Sequence, residues 1–328
     1  MNLMKSIFVL MIMLFIFWGV SSFSWFMLWM SLEMSMLMMI PLMTMLNSQH
    51  HIESAMKYFL IQGISSSSFI LISLWNIMNF LFIPSLMIIV VIMMKIGMFP
   101  FMFWYKEVIM KSSFLSNKLI MTLQKILPMT VIYYLMKVNM NYFIYILIFM
   151  NSLFSSIMAY NETMIKKIMA LSSINNMSWM VLSVSLNFSL FLIFLLVYSN
   201  IIIYILNMMN LKNLVSLTQM FKFNNLLLNI NILSMAGLPP FSGFMLKWLM
   251  LSMMLNMNLV LFSVIMVITS LLSLYFYLRM VLMSSVMMVF SMKWLSLLSS
   301  KKEMMYFMNL KSMLNLFFIP FMMVIYSF

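Results

Sequence analysis

The sequence predicts an all-α polytopic membrane protein with about eleven transmembrane helices. Three observations lead to this fold class. The chain of 328 residues is 66% hydrophobic and only 7% charged, whereas soluble domains are about half apolar and a quarter charged. Its apolar residues fall in runs of about 20, the length that crosses a bilayer as a helix. Its basic residues are abundant in alternate loops and nearly absent from the others, which is typical of multi-pass membrane proteins.

The composition excludes several kinds of site. The chain has no cysteine, so it has no disulfide framework, thiolate metal site or cysteine-ligated iron–sulfur cluster. His50 and His51 are its two histidines, and we predict that both lie in a loop, where they offer no helical histidine pair to a haem or metal. The net charge of +13 comes from singly scattered basic residues, which are better explained by an anionic membrane surface than by nucleic acid.

The hydrophobic runs define the predicted spans and their boundaries. In chain order the spans are 6–22, 25–46, 58–76, 80–104, 119–136, 142–160, 165–186, 188–209, 226–252, 257–279 and 313–328.

Charge in the loops supports this division. Numbered after each span, the odd loops together hold one basic residue, Lys137. The N-terminus and the even loops hold fourteen: Lys5, Lys57, Lys106, Lys111, Lys118, Lys166, Lys167, Lys212, Lys222, Arg279, Lys293, Lys301, Lys302 and Lys311. Because basic residues stay on the inner side, the N-terminus is predicted inside and the C-terminus outside.

Lys166, Lys167 and Arg279 lie at the very ends of spans and are counted with the loops. Four further charged residues lie within the predicted spans: Glu33, Lys95, Lys125 and Lys247. Each costs about 2.5–3.5 kcal/mol at the bilayer centre on insertion scales. Lys247 lies near a helix end and could extend to the membrane surface, whereas Lys95 and Lys125 lie deeper. The short side chain of Glu33 cannot reach the surface, so it must be paired, protonated or beside water.

Two spans also contain residues that break helices. The fourth contains Gly97 and Pro100, and the ninth contains Gly237, Pro239 and Pro240. Proline removes a backbone donor, and interrupted helices are tolerated in membranes where they pack in protein or line a hydrated cavity. A packing kink would explain either break alone. Two breaks of the form G-x-x-P-F, each on a span with a buried lysine, favour a functional role.

The spacing of the breaks predicts an internal repeat. They lie five helices apart, and a tandem repeat of an odd number of helices is inverted in the membrane, as in many secondary transporters. We therefore divide the single membrane domain, 1–328, into a first five-helix repeat, 6–137, and a second, 142–280. A loop and a C-terminal helix, 283–328, follow.

A series of motifs resembles a known family. They are Leu32-Glu33-Met34; Lys57-Tyr58-Phe59-Leu60 with Gln62; Lys95-Ile96-Gly97-Met98 through Phe103-Trp104 to Glu107-Val108; Gln124-Lys125-Ile126 with Pro128; Asn161 to Lys167, then Ser172-Ser173-Ile174-Asn175; Gly237-Leu238-Pro239-Pro240 to Lys247-Trp248; and Leu274 to Arg279. Their order and spacing, over about residues 25–280, resemble the family of subunit 2 of mitochondrial NADH:ubiquinone oxidoreductase, the respiratory complex I.

The resemblance implies a function and roles for the buried charges. The family belongs to the antiporter-like proton-pumping subunits, which have two inverted five-helix units with one discontinuous helix each. It implies a core membrane subunit that translocates protons, coupled to NADH oxidation and ubiquinone reduction elsewhere in the complex. It further implies Glu33 and Lys95 as the ion pair of the first unit, Lys125 as the central-axis lysine and Lys247 as the terminal lysine of the second unit.

The same resemblance implies the surroundings of the chain. It would be a subunit of an enzyme without redox chemistry of its own, since NADH, FMN, iron–sulfur clusters and ubiquinone are expected in other subunits. We expect contacts with other membrane-arm and accessory subunits and with lipid, especially cardiolipin, and none with nucleic acid. The location would be the mitochondrial inner membrane, with the N-terminus on the matrix side and the C-terminus on the intermembrane-space side.

The sequence departs from the family pattern at five positions. Ser178 stands where glycine is usual, Leu123 where tryptophan is common and Leu246 where proline is common. Met102 and Asn176 stand where histidines are usual, which argues against a histidine relay here. Water, the lysines and hydroxyls such as those of Ser172 and Ser173 would carry protons instead. Two alternatives remain at this point: a free-standing cation/proton antiporter of the same superfamily, and a structural membrane subunit whose charges serve only in packing.

Overall fold

The computed structural model describes residues 2–45, 48–78, 82–136, 141–221, 226–239 and 241–291. Within these ranges the regular structure is helical. The only extended pairing there is one isolated antiparallel bridge, between Met164 and Ser216. The predicted all-α class is confirmed for this part of the chain.

Fourteen α-helices and one 3-10 turn follow one another along the described residues. They are α1 Asn2–Val20, α2 Trp25–Thr44, α3 Gln49–Met78, α4 Phe82–Ile96, α5 Met102–Lys111, α6 Phe114–Met121, the 3-10 turn Leu123–Lys125, α7 Ile126–Met136, α8 Asn141–Tyr160, α9 Ile165–Leu186, α10 Phe188–Leu211, α11 Leu217–Met220, α12 Leu226–Ala236, α13 Ser242–Asn256 and α14 Val260–Ser291.

Seven helical segments in the described residues are long and apolar enough to cross a membrane. They are the segments Leu3–Val20, Trp25–Thr44, Gln49–Trp75, Phe114–Met136, Phe143–Tyr160, Phe188–Leu211 and Val260–Ser285. The predicted fourth span corresponds to two helices, α4 and α5, and the predicted ninth to α12 and α13. The predicted final span, 313–328, lies outside the described residues, so the count of eleven remains a prediction.

Two local predictions differ from the structure. His50 and His51 lie in the first turn of α3, so their predicted loop position is wrong. The helix begins early because Glu53 and Lys57, four residues apart, pair on one face of its polar first turns. Helix α14 continues to Ser291, past the predicted end of its span at 279, because residues 280–291 include good helix formers and neither glycine nor proline.

The described chain divides into two compact units. The first comprises residues 1–151 and 176–188, and the second comprises residues 152–175 and the chain from residue 189 onward. In the first unit, α3 packs against α2, α4 and α5, and α7 packs against α1 and α4. In the second unit, α14 packs against α11, α12 and α13.

Arg279 anchors α14 within the second unit. Its guanidinium group donates to the carbonyls of Tyr160 (2.5 Å), Ala159 (3.2 Å) and Glu162 (2.5 Å), at and just beyond the carboxyl end of α8. The last carbonyls of a helix lack intrahelical donors, and the forked guanidinium can serve several at once. The Tyr275 ring stacks on Tyr160, with ring centroids 4.6 Å apart.

Candidate functional site

The first helix break separates α4 from α5 in the first unit. Helix α4 ends at Ile96, Gly97 follows with φ of +78°, and α5 begins at Met102. The amides of Gly97 and Met98 both donate to the Met93 carbonyl, at 3.0 Å each. This is a glycine-terminated helix end, which requires a positive φ that other residues rarely adopt.

The second break, in the second unit, has nearly the same backbone bonding. Helix α12 ends at Ala236, and Gly237 follows with φ of +80°. The amides of Gly237 and Leu238 donate to the Leu233 carbonyl, at 3.2 and 3.4 Å. Pro239 lies in the turn before α13, and Pro240, also predicted to break the helix, lies outside the described residues. The glycine-terminated helix ends at the two breaks thus share one local conformation.

Lys95 and Lys125 line one cavity in the first unit. Its volume is about 20 Å³, enough for a water molecule, which needs about 10–15 Å³ of such space. The polar side chains around it are those of Tyr58, Gln62, Lys95, Tyr105, Gln124 and Lys125. Lys95 is 7% exposed and Lys125 is 3% exposed. The structure therefore joins two lysines from different helices around a space that can hold water.

Glu33 lies on α2 and is not among the residues that line this cavity. The residue is half-buried, and when ionised its charge would act on the Lys95 ammonium group and on the Tyr58 hydroxyl. Lys95 also lies in the last turn of α4, where the helix dipole favours a positive charge. A carboxylate and a helix end therefore both offset part of the cost of burying the Lys95 charge.

Lys125 lies at a helix irregularity that its sequence does not predict. It is the last residue of the 3-10 turn between α6 and α7. The neighbouring Gln124 donates from Nε2 to the Ser35 carbonyl on α2, at 3.2 Å. The Lys125 ammonium nitrogen lies 5.7 Å from the centroid of the Tyr105 ring, within range of a cation–π interaction.

Lys247 occupies the second break. It is 7% exposed, and its ammonium group donates to the Ala236 carbonyl at the end of α12, at 3.0 Å. The side chain thus folds inward and does not extend to the surface. A Cβ at Gly237 would lie 3.0 Å from the Lys247 Nζ, so glycine also makes room for the lysine. Lys247 belongs to the second unit.

Several residues at the site were not singled out from the sequence. Gln62 and Gln124 were noted only as motif positions, and Tyr105 and Asn151 were not noted at all. Asn151 on α8 accepts a hydrogen bond from the Phe99 amide inside the first break, at 3.0 Å. A polar side chain within an apolar run could have indicated such residues, because a buried polar group is expected to have a hydrogen-bond partner.

The positions that depart from the family pattern are also buried. Met102 is 1% exposed and Asn176 is 3% exposed. The hydroxyls of Ser172 and Ser173 donate to the carbonyls of Met169 and Ala170 in their own helix, each at 2.8 Å. Among the described residues, no group of three or more histidine, aspartate or glutamate side chains could hold a metal ion.

An ion-pair network joins α3 to α5 beside the first break. Lys57 contacts Glu53 at 3.2 Å and Glu107 at 2.6 Å, and Lys111 contacts Glu53. The hydrogen bond from Lys57 lowers the pKa of the Glu107 carboxyl below its ordinary value, and nearby positive charge adds to the effect. Because the carboxyl pKa is lower in the folded state, this pair stabilises the fold at every pH above the ordinary carboxyl pKa. The contribution is lost as the pH falls through the depressed value.

We expect Glu107→Gln to lower the melting temperature of the assembled protein slightly at neutral pH. The difference from wild type should vanish in acid and in about 1 M salt, where exposed charges are screened. Thermal unfolding followed across pH and salt measures this effect. In a Lys57→Met background, Glu107→Gln should lower the melting temperature by a smaller amount. A difference in melting temperature that persisted in acid would contradict the assignment of the ion pair.

The chain is similar to known proteins over most of its length. Residues 22–273 match the family model described as NADH:quinone oxidoreductase/Mrp antiporter, transmembrane. NADH-ubiquinone oxidoreductase chain 2 of Locusta migratoria is 32% identical over 267 residues, covering 78% of both chains. The Dugong dugon protein of the same name is 35% identical over 270 residues, covering 74% of this chain and 76% of its own. The chain belongs to the NADH-ubiquinone oxidoreductase chain 2 family.

Membership in this family confirms the resemblance inferred from the motifs. Solved structures share the fold. A chain of respiratory complex I from Thermus thermophilus aligns with a TM-score of 0.75 at 20% identity, over 86% of this chain and 70% of its own. A chain of the Mrp complex from Dietzia sp. also aligns with a TM-score of 0.75, at 15% identity, over 84% of this chain and 59% of its own. The fold is therefore that of an antiporter-like membrane subunit.

Proposed function

We propose that this chain translocates protons across the mitochondrial inner membrane as a core membrane subunit of respiratory complex I. The proposed route begins at Glu33 and Lys95, continues through Lys125 and ends at Lys247. The observation that carries the proposal is the shared cavity of Lys95 and Lys125, which places two buried amines around space for water. Family membership supports the setting, a multi-pass subunit of a proton-pumping complex.

Elementary electrostatics explains how such a pair could pass a proton. Burial disfavours the ammonium form of a lysine, and a nearby carboxylate favours it. Lys95 therefore holds its proton while Glu33 is near and ionised. A change that weakens the effect of Glu33 would release the proton to the water in the cavity, and from there to Lys125. The Tyr105 ring would then stabilise the positive charge on Lys125.

In this proposal, both helix breaks stabilise a lysine cation within the membrane. Each creates the carboxyl end of a helix within the membrane, where the dipole favours a cation. Lys95 lies in the last turn of α4, and Lys247 donates to the last carbonyl of α12. The shared geometry of the breaks supports two inverted five-helix repeats, and the loop charges support eleven spans with a matrix-side N-terminus and an intermembrane-space C-terminus.

The enzymatic role follows from the assembly rather than from this chain. We assign it to NADH:ubiquinone oxidoreductase as a subunit without redox chemistry of its own, and we assign NADH, FMN, iron–sulfur clusters and ubiquinone to other subunits. The chain has no cysteine thiolate to hold an iron–sulfur cluster. Its proposed partners are the other membrane-arm and accessory subunits and cardiolipin, with no nucleic acid.

Replacing Glu33 by Gln tests the first step. A neighbouring opposite charge that favours the protonated amine by about 1.4 kcal/mol changes proton binding about tenfold. We therefore expect Glu33→Gln to slow NADH-driven proton pumping about tenfold while the complex still assembles. The measurement is proton uptake by vesicles that contain the assembled complex. Glu33→Asp, which keeps the charge, should retain most of the pumping.

Two measurements distinguish the alternative functions. Full pumping by Glu33→Gln would favour a purely structural role for the buried charges. A free-standing antiporter would form a native particle near the mass of one chain and would exchange cations for protons when purified alone. The shared family description, which includes both oxidoreductase and antiporter members, makes this second measurement necessary.

A further inference from the structure

The first break exposes backbone groups that an unbroken helix would satisfy. The last carbonyls of α4 and the amides between α4 and α5 have no helical partners. In an apolar environment, each such group left without a hydrogen bond is costly. The amides of Gly97 and Met98 return to the Met93 carbonyl. The carbonyls of Met94 and Lys95 and the amide of Phe99 need other partners.

Side chains from three helices supply those partners. Trp104 on α5 donates from Nε1 to the Met94 carbonyl, at 3.2 Å. Gln62 on α3 donates from Nε2 to the Lys95 carbonyl, at 2.8 Å. Asn151 on α8 accepts from the Phe99 amide, at 3.0 Å. Gln62 is 8% exposed and Asn151 is fully buried, so neither amide is a chance surface contact.

At the second break, the backbone groups without helical partners are satisfied differently. Two residues after the glycine, Pro239 replaces Phe99 and has no amide hydrogen, so it needs no acceptor. Near the carboxyl end of α12, the Lys247 ammonium group itself binds the Ala236 carbonyl. At the first break the neutral Gln62 binds a carbonyl in the last turn of α4. The Lys95 ammonium therefore does not have to cap its own helix.

We propose that Gln62 and Asn151 are positioning residues for Lys95. The Gln62 amide binds the end of α4, and the Asn151 amide binds the segment between α4 and α5. Together they keep the Lys95 side chain turned toward the cavity that it shares with Lys125. This inference rests on the proposed proton route, because it assigns the two amides a task only in relation to Lys95.

The test compares Asn151→Leu with Asn151→Asp in the assembled complex. Leucine has a similar size but cannot accept from the Phe99 amide, whereas aspartate keeps an oxygen at that position. Two quantities are measured: amide hydrogen exchange of the peptide 93–101, and protons pumped per NADH oxidised. With leucine we expect exchange about tenfold faster, the effect of a buried donor that loses its acceptor, and fewer protons per NADH. Aspartate should restore both toward wild type.

The matched control is Asn229→Leu, which removes another buried asparagine hydrogen bond, the one that Ser284 donates at 2.6 Å. It should leave exchange in 93–101 unchanged. If Asn151→Leu prevents assembly, Gln62→Met removes the donor on the other side of the break and is expected to give the same two changes.

Several outcomes would overturn the proposal. Unchanged exchange in 93–101 would show that the amides do not hold the break. Faster exchange with normal pumping would show that they hold it without positioning Lys95. Failure of the proton route itself is recognised separately, because Glu33→Gln would then pump normally while the exchange data still report the hydrogen bonds.

Discussion

Replacing Lys125 by Met is expected to abolish proton translocation through this chain while the complex still assembles. Lys125 is 3% exposed and lines the cavity that Lys95 also lines. Methionine has a similar length but cannot carry a proton. It also replaces an amine, which costs about 2.5–3.5 kcal/mol to insert when it is charged, by an apolar side chain, so we expect the variant to assemble. Loss of pumping would then reflect lost chemistry rather than misfolding.

The measurement is the number of protons pumped per NADH oxidised by vesicles containing the complex. Lys212→Met is the matched control, because Lys212 is an exposed lysine just beyond α10, and its replacement should leave the ratio unchanged. Undiminished pumping with methionine at position 125 would remove Lys125 from the route. Of the charged residues in the first unit, only Glu33 and Lys95 would then remain in the proposed route.

Gly243→Ala is expected to prevent stable assembly. A Cβ at Gly243 would lie 1.8 Å from the Ser234 carbonyl oxygen of α12. The obstructing atom belongs to the backbone, so no side-chain rotation relieves the overlap and the two halves of the broken helix must move apart. Overpacking typically costs about 1–3 kcal/mol, and the cost is larger when backbone must shift. The second break, and with it the Lys247 site, should be lost.

Gly63→Ala provides the matched control for this prediction. Gly63 lies within α3, and a Cβ there meets nothing within 4 Å. Alanine is favoured over glycine in a helix by about 0.5–1 kcal/mol, so Gly63→Ala should assemble as well as wild type or better. The yield of intact complex and its melting temperature measure both variants. Equal stability of Gly243→Ala and Gly63→Ala would contradict the close approach of α12 and α13.

The features that were predictable from the sequence depend on short stretches of chain. Apolar runs indicate membrane helices because lipid replaces water around them. Glu33, Lys95, Lys125 and Lys247 stand out because a charge within such a run has a large insertion cost. The breaks are visible because glycine and proline act on the local backbone.

Local patterns were also the source of the errors. His50 and His51 were assigned to a loop because polar residues precede the apolar run, but α3 begins at Gln49. Interhelical packing and paired charges lengthen a helix beyond its apolar segment. Likewise, the 3-10 turn at Lys125 was missed because nothing in its own sequence requires it, and its partner Ser35 lies on α2.

The sequence by itself determined that this is an all-helical membrane protein, which residues carry costly charges, and where two helices are interrupted. These are properties of single segments, governed by transfer free energies and backbone geometry. Only the tertiary structure decided that Lys95 and Lys125 share a cavity, that Gln62 and Asn151 hold the first break, and that Lys247 caps α12. Each of these contacts depends on which helix faces pack together, and an apolar run leaves that choice open because lipid favours all its faces nearly equally.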